Sequence, residues 1–596
     1  MVAELAMTTA YGNDRYLQMA RAGRALRENS EGRPEIRIAI LADHAPQQLS
    51  QVLKAAVAEQ GFFPAVYEAD YATAAPEAYD AGSGLHRFQA DFVYVSLAMQ
   101  KYRARFFSSG SPEAREALPA EYLREVGGIV AVLLGRGVGV VLDNLALPVE
   151  RMFGNYGALT AQSCYGSVLK FNALLADFVG TSRGCQLNDV MFLANRVGTE
   201  AFLDERLWAS SKYLCAPRFL PELAAGVARG LAARKGRLKK CIVLDLDNTL
   251  WGGVVGDDGI EGIKLGGDAE GEAFQAFQRY LLGLKQRGYV LAVCSKNNPE
   301  TAGTAFRTHP EMIMQEEDVA IFVANWNDKA SNLEYIARVL NLGLDSFVFV
   351  DDSPFERSQV RQALPMVAVP ELPEDVADYV AALEAGGYFE ATGLSEEDAS
   401  RNQKYREEAQ RSTEQIKYQN IDEYLASLGM EMQCGPVAPD DLARVAQLFQ
   451  RSNQFNLRTQ RTSEATCEQY LREPDRYLTL QLRLRDKFGD YGLISAACGE
   501  VRDGVLFVSE LVMSCRVLKR GVEEYLMNHL FAQARRRGLK GVEGEYIRTE
   551  KNSLVRDFFP RFGFELVAGD DVRQVWRLAL EKYQPRKTFI TPANDD

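Results

Sequence analysis

The stretch CIVLDLDNTLWGGVVGDDG, Cys241 to Gly259, sets two aspartates, Asp245 and Asp247, straight after the apolar run Ile242 to Leu244. Burying unpaired carboxylates is costly, so acids at the end of an apolar strand imply a compensating partner. Further along, VCSKNN presents Ser295, NWNDKASN presents Lys329, and FVDDSPFE presents Asp351 and Asp352. Carboxylates converging on one lysine repel one another unless a hard divalent cation sits among them. Mg2+ suits oxygen ligands that it shares with phosphate. A carboxylate nucleophile, a cation and a lysine are the equipment of phosphoryl transfer. Asp245 would attack phosphorus, with Lys329 and the cation offsetting charge on the equatorial oxygens. Asp247 would protonate the leaving oxygen and later deprotonate the hydrolytic water. Ser295 would donate to a phosphoryl oxygen. The expected metal set is Asp245, Asp247, Asp351 and Asp352.

Elements of a particular kind must hold these residues. YVLAVCS, VAIFVAN and SFVFVDD read as strands, separated by the helical EAFQAFQRYLLGLKQRG and ASNLEYIARVLNLG. All end in polar residues, and in open parallel sheets those carboxyl ends line the site. Before them, IRIAILAD, FPAVYEAD, ADFVYVSLA and GVGVVLDNLALP are strands alternating with helical patterns such as QQLSQVLKAAVAEQG. This predicts a second parallel, doubly wound sheet. After them, RYLTLQLRLRD, YGLISAACGEV and GVLFVSELVMS have the look of antiparallel strands mixed with helices. The expected divisions are a short helical or loose leader (1–32), a first domain (33–234) and a second (235–370). A helical connector (371–420) and a third domain (421–596) complete them.

Composition excludes several classes. The 596 residues are 47% hydrophobic and 25% charged, with a formal net charge of −13, so neither nucleic acid nor an anionic membrane is an expected partner. No apolar run approaches a membrane span. The segment MVAELAMTTAYGNDRY lacks a charged start followed by an apolar core. The nine cysteines are scattered without CxxC pairs, which favours reduced thiols. A multidomain cytoplasmic protein is expected.

DLDNTLWGG, CSKNN, Lys329 and VDDSP resemble, in order, the four motifs of the haloacid dehalogenase (HAD) superfamily, with Asp245, Asp247 and Thr249 matching Asp-x-Asp-x-Thr. About fifty residues separate Asp245 from Ser295, too few for an inserted cap domain, so the second domain is expected to be a capless, Rossmann-like HAD domain. WGGVVGDDG then reads as a flap hairpin, its glycines allowing tight turns and close backbone approach. The resemblance implies that Thr249, Trp251, Gly252, Gly253, Lys296 and Asn297 contact substrate. The flap, together with RSNQFNLRTQR (Arg451 to Arg461), ELVMSCRVLKRGVEEYL and TEKNSLVRDFFPRFGF, is closely similar to the FkbH-like proteins of polyketide assembly lines, from about Ile36 to Phe564. That family implies an enzyme recruiting 1,3-bisphosphoglycerate, removing phosphate and leaving glycerate as a thioester on the phosphopantetheine arm of an acyl carrier protein. Ser353 stands where the family often has asparagine, with little expected effect. The alternative is a stand-alone magnesium phosphatase of a small organic phosphate. A non-catalytic scaffold is opposed by the intact motif set.

The first domain resembles a degenerate, flavodoxin-like SGNH hydrolase module. Its first strand ends in Asp43-His44 rather than in a serine, and LDERLW carries Leu207 where a late histidine belongs. Hydrolysis is not expected, and His44 is expected to be structural or partner-contacting. Four histidines in all leave little for a Ser-His-Asp or zinc site. The third domain resembles the GNAT acyltransferase α+β fold, in which a turn and a helix N-terminus hold the pyrophosphate of coenzyme A. In VLKRGVEEYL, Arg520 and Gly521 fit, but Leu518 replaces the usual basic or amide residue and Glu523 puts a carboxylate in the cradle. That opposes an N-acyltransferase using free acetyl-CoA. It leaves a carrier-borne phosphopantetheine arm, contacted by Cys515, Arg516, Arg520 and Gly521, or mere docking of the partner. Cys515, with basic neighbours, and Cys294, beside Ser295, are candidate thiols, or packed core cysteines.

Overall fold

In β1 (Glu35–Ala42) the side chains of Ile36, Ile38 and Ile40 enter one core and those of Ala39 and Leu41 another. A strand buried on both faces belongs inside a parallel sheet covered by helices. β1 pairs in parallel with β2 (Phe63–Glu68) and β3 (Phe92–Ser96), and β4 (Gly139–Asp143) and β5 (Cys185–Asn188) follow, in the order β2-β1-β3-β4-β5. Helices Gln47–Glu59 and Leu220–Arg234 supply the first core, Pro112–Gly135 and Cys164–Thr181 the second. This is the doubly wound sheet expected. Helix Asn13–Ala25, in the stretch read as a leader, sends Met19 and Ala20 into the first core.

The structure is a computed structural model. It describes residues 12–27, 32–391, 393, 401–415, 417–452, 455–458, 462, 464–514, 517–549 and 552–593. Cys515 and Arg516 lie outside the described residues. The chain divides into two compact units: Met1–Tyr289, Thr308–Ile313 and Gly343–Asp398 form the first, and Val290–Arg307, Met314–Leu342 and Ala399–Asp596 the second. Besides the five-stranded sheet, the first unit holds β6 (Cys241–Leu244) and β9 (Phe347–Val350), a parallel pair with every residue buried. The second holds the parallel pair β7 (Val290–Ser295) and β8 (Ile321–Ala324). Among the described residues no helix is long and apolar enough to cross a membrane.

The second unit also holds an eight-stranded mixed sheet. Its strands are β10 (Glu431–Gly435), β11 (Tyr477–Asp486), β12 (Gly489–Arg502), β13 (Val505–Met513), β14 (Gly541–Ile547), β15 (Glu565–Gly569), β16 (Arg573–Ala579) and β17 (Thr591–Pro592), ordered β15-β16-β14-β13-β12-β11-β10-β17. Within it β13 and β14 run parallel, joined by helix Val522–Arg536, as a parallel crossover requires. This is the α+β arrangement of the GNAT-like expectation. The two strands pair only from Val505/Gly541 to Val508/Gly544, although both run on. Beyond that point Phe455–Arg458 fills the gap as a strap. Met513 N–H donates to Phe455 O at 3.2 Å and Ile547 N–H to Leu457 O at 2.8 Å. Arg458 Nη1 donates to Ser509 O at 2.7 Å, and its Nε lies 2.5 Å from the buried Glu545 carboxylate.

Candidate active site

β6 and β9 end side by side, and the acids follow at once. Asp245 N–H donates to Val350 O at 2.9 Å, which sets the start of one acidic turn against the end of the neighbouring strand. Asn248 then takes a left-handed conformation (φ 55°) and lets the chain reverse, with Leu250 N–H donating to Leu246 O at 2.7 Å. The turn is tied across: Asp352 N–H donates to Thr249 Oγ1 at 3.2 Å, and the Thr249 hydroxyl to Asp352 Oδ1 at 3.4 Å. Arg357, nearly fully buried, donates to the carbonyls of Asp351 (2.8 Å) and Asp352 (2.6 Å) and grips Glu371. Ser353, the departure noted above, caps helix Pro354–Ala363 by accepting from Glu356 N–H.

The result is a trio. One carboxylate oxygen each from Asp245, Asp351 and Asp352 lies within 4.8 Å of the others, and Asp245 and Asp351 are buried. Three carboxylates at that spacing make a site for a hard divalent cation, and an all-oxygen donor set suits Mg2+. Asp247 does not join it with its carboxylate, which corrects the expected ligand set. Asp247 Oδ1 instead accepts from Trp251 Nε1–H at 2.9 Å and Val255 N–H at 3.0 Å. Trp251, expected against substrate, is wholly buried and holds Asp247 in place.

The flap is real but short. Gly252 and Lys264 exchange backbone hydrogen bonds (3.0 and 2.8 Å), and its tip is one helical turn, Val255–Asp258. Gly253 sits at φ +89°, its N–H donating to Asn248 Oδ1 at 2.8 Å; a Cβ there would meet Asp258 Oδ2 at 2.7 Å. Tyr379 OH donates to Asn248 O at 3.0 Å, and burial followed by the Asp352 charge pushes its phenol up to about 12, so it stays a donor.

In the second unit Ser295 and Lys329 are both about 2% exposed, at the end of β7 and the start of helix Lys329–Leu340. Asn325 N–H donates to Ser295 O at 3.1 Å. Asp328 caps the helix on Ser331 N–H (2.8 Å) and Ser331 Oγ (2.7 Å), which hold its carboxyl below the usual range. Asn297 is buried, Lys296 half-buried, and Cys294 fully buried in the core.

Sequence reasoning missed a cluster in the first sheet. His44, Ser96 and Asp143 meet at its carboxyl edge, all nearly inaccessible. His44 Nε2 lies 2.8 Å from Ser96 Oγ, and Ser96 donates to Asp143 Oδ2 at 2.7 Å, with Tyr94 and Asn188 donating to the same carboxylate. The serine stands between base and acid and gives its proton to the acid, so the histidine does not activate it. Burial lowers His44 to about 4 and raises Asp143 to about 7. Asp204, in LDERLW, is spent as a helix cap on Arg206 and Leu207 N–H.

The GNAT-like turn differs from expectation too. Gly521 has the left-handed conformation (φ +82°) of a tight turn before helix Val522–Arg536. Arg520, expected to grip phosphate, instead donates to Glu408 at 2.7 Å and to Tyr491 OH, beside the Arg411–Asp486 pair. Glu523, buried, folds back to accept from Lys519 N–H at 3.3 Å, so the chain's own carboxylate occupies the cradle.

A family model described as "FkbH, N-terminal domain" matches residues 37–229. The N-terminal part of a Bacteroides fragilis protein, containing a phosphatase domain and complexed with Mg, is similar at 32% identity over 63% of this chain and 99% of that one, with a TM-score of 0.60. The ribosomal-protein-S18-alanine N-acetyltransferase from Escherichia coli matches at 17% identity over 25% of this chain and 94% of that one, with a TM-score of 0.20. No curated protein matches.

Proposed function

The chain belongs to the FkbH-like family, and from that premise we propose that its HAD-type phosphatase removes the phosphate ester of a three-carbon acyl unit. In this reading it recruits 1,3-bisphosphoglycerate. The phosphopantetheine thiol of an acyl carrier protein attacks the C1 acyl carbon and expels the C1 phosphate. The phosphatase hydrolyses the C3 phosphate ester, which leaves a glyceryl thioester for polyketide or related assembly. The observation that carries the phosphatase part is the carboxylate trio Asp245, Asp351 and Asp352. Those residues would hold Mg2+, which when bound neutralises charge on the phosphoryl oxygens. Asp245 attacks phosphorus, forming an aspartyl phosphate as the bond to the leaving oxygen breaks. Asp247 gives that oxygen a proton and then takes one from the water that hydrolyses the intermediate. Trp251 and Val255 N–H fix the Asp247 carboxylate for both transfers. Motif order assigns Ser295 and Lys329 to the phosphoryl oxygens.

The glyceryl and carrier-protein parts are supported by family membership alone. One observation favours a plain phosphatase instead: Glu523 and Arg520 are already engaged within the chain, which leaves the turn poorly suited to a phosphopantetheine phosphate. Intact-mass measurement of a carrier protein incubated with the enzyme, Mg2+ and 1,3-bisphosphoglycerate separates the two. A gain of one glyceryl unit is expected. Phosphate release with the carrier unchanged would leave the plain phosphatase standing.

A further inference from the structure

A cavity of about 920 Å³ opens beside Asp352, within the first unit. Asn248 and Asp352 line it, Phe274, Leu372 and Tyr379 give it apolar wall, and Glu270, Glu374 and Asp375 are exposed around it. Its charge is one-sided. The cation in the lining, Arg357, is turned away, donating to the Asp351 and Asp352 carbonyls and to Glu371. Lys264 neutralises Glu270 at 2.6 Å, while Asp375 accepts from Ala377 N–H at 2.9 Å. Among the described residues, a group in this cavity therefore meets acceptors and rings, but no guanidinium or ammonium of the lining directed at it.

We propose that this cavity is the subsite for the organic part of the phosphate ester, and that it takes an uncharged, hydroxyl-bearing group and rejects a second anion. The proposal rests on the phosphatase reading of the adjoining trio. Hydroxyls can donate to Glu374 and Asp375 while the carbon chain lies on Phe274. A carboxylate or second phosphate would face the like charges of Glu374 and Asp375, unless it is masked, as in a thioester. Glu374 and Asp375 are then the residues that set specificity, and Glu270 contributes less because Lys264 already pairs with it.

Glycerol 3-phosphate and 3-phosphoglycerate test this directly, because they differ in a neutral CH2OH against a carboxylate. With Mg2+, the full chain is expected to favour the glycerol ester in kcat/KM by at least about tenfold. The combined Glu374→Gln and Asp375→Asn variant should narrow that ratio severalfold; Asn keeps the cap on Ala377. Should that variant fold poorly, the exposed single change Glu374→Lys gives the same readout. Equal or better turnover of 3-phosphoglycerate, or a ratio unmoved by the variants, overturns the subsite while leaving the phosphatase intact. Turnover of p-nitrophenyl phosphate with neither glycerol compound overturns it as well. No hydrolysis of any of the three, with the Asp245→Asn variant indistinguishable from the parent, would end the phosphatase reading and the subsite together.

Discussion

Asp245 and His44 each stand at the end of a buried strand, yet their environments assign them opposite fates. Asp245 belongs to the carboxylate trio. Asp245→Asn keeps its shape and removes the nucleophilic charge, so phosphate release should fall by orders of magnitude. EDTA should abolish release and added Mg2+ restore it, both read by a phosphate assay. His44 is held neutral by burial, at about 4 against an ordinary 6.5. Between those values the unfolded chain binds a proton that the folded chain refuses, so the contribution of His44 is present above pH 6.5 and lost as pH falls toward 4. The full effect is roughly 3 kcal/mol. Asp43 and Asp143, both raised by burial to about 7, contribute with the opposite slope, since their stability is lost as pH rises through 7. The measurement is therefore the difference in unfolding free energy between the parent and His44→Gln, which should shrink on acidification through that window. Ser96, buried and already donating to Asp143, should stay unlabelled by serine-directed fluorophosphonates.

At the scale of elements, the flap acts through Trp251. Replacing it with Phe removes the Nε1–H that holds Asp247, and a hydrogen bond to a charged group is worth about 1.5–3 kcal/mol. A kcat lower by about ten- to a hundredfold with a nearly unchanged KM is expected; a KM effect alone would mean that the ring binds substrate. The strap Phe455–Arg458 is testable by Arg458→Ala, which frees Ser509 O and leaves Glu545 to Arg573. Amide exchange at Met513 and Ile547 should quicken, because their acceptors lie on the strap. Strands were legible in the sequence because apolar runs ending in acids, such as CIVLDLD and FVFVDD, have few other ways to fold. The acids of the trio were legible for the same reason, since each directly follows an apolar strand and the carboxyl ends of a parallel sheet share one edge; that β6 and β9 are neighbours is a property of the fold. Partner choice was not. Arg520 finds Glu408, more than a hundred residues earlier, and Ser96 finds Asp143 across a sheet; no local pattern encodes either pairing. The direction of the Asp247 carboxylate was not legible, because motif spacing does not say which way a carboxylate turns; the Trp251 indole and the Val255 amide hold its Oδ1.

Across the whole molecule, the carboxylate trio lies in the middle of the chain, while polar groups at the edges of both flanking folds are paired within the chain. The first sheet has locked its serine, histidine and aspartate into one another, and the last has filled its own cradle with Glu523. Glu523→Gln removes that buried charge. If the turn serves a carrier arm, glyceryl loading of the carrier should rise severalfold by intact mass while phosphate release from a small ester stays level; unchanged loading would mark the domain as a docking surface. The strap has a further consequence, for the order of assembly. Its carbonyls wait for amides at Met513 and Ile547, roughly sixty and ninety residues downstream. Loop closure over such distances comes late and slows folding. The C-terminal sheet therefore cannot lock as it leaves the ribosome, and a nascent chain halted before Gly541 would carry Val505–Val508 of β13 with an open edge, the kind of surface chaperones bind.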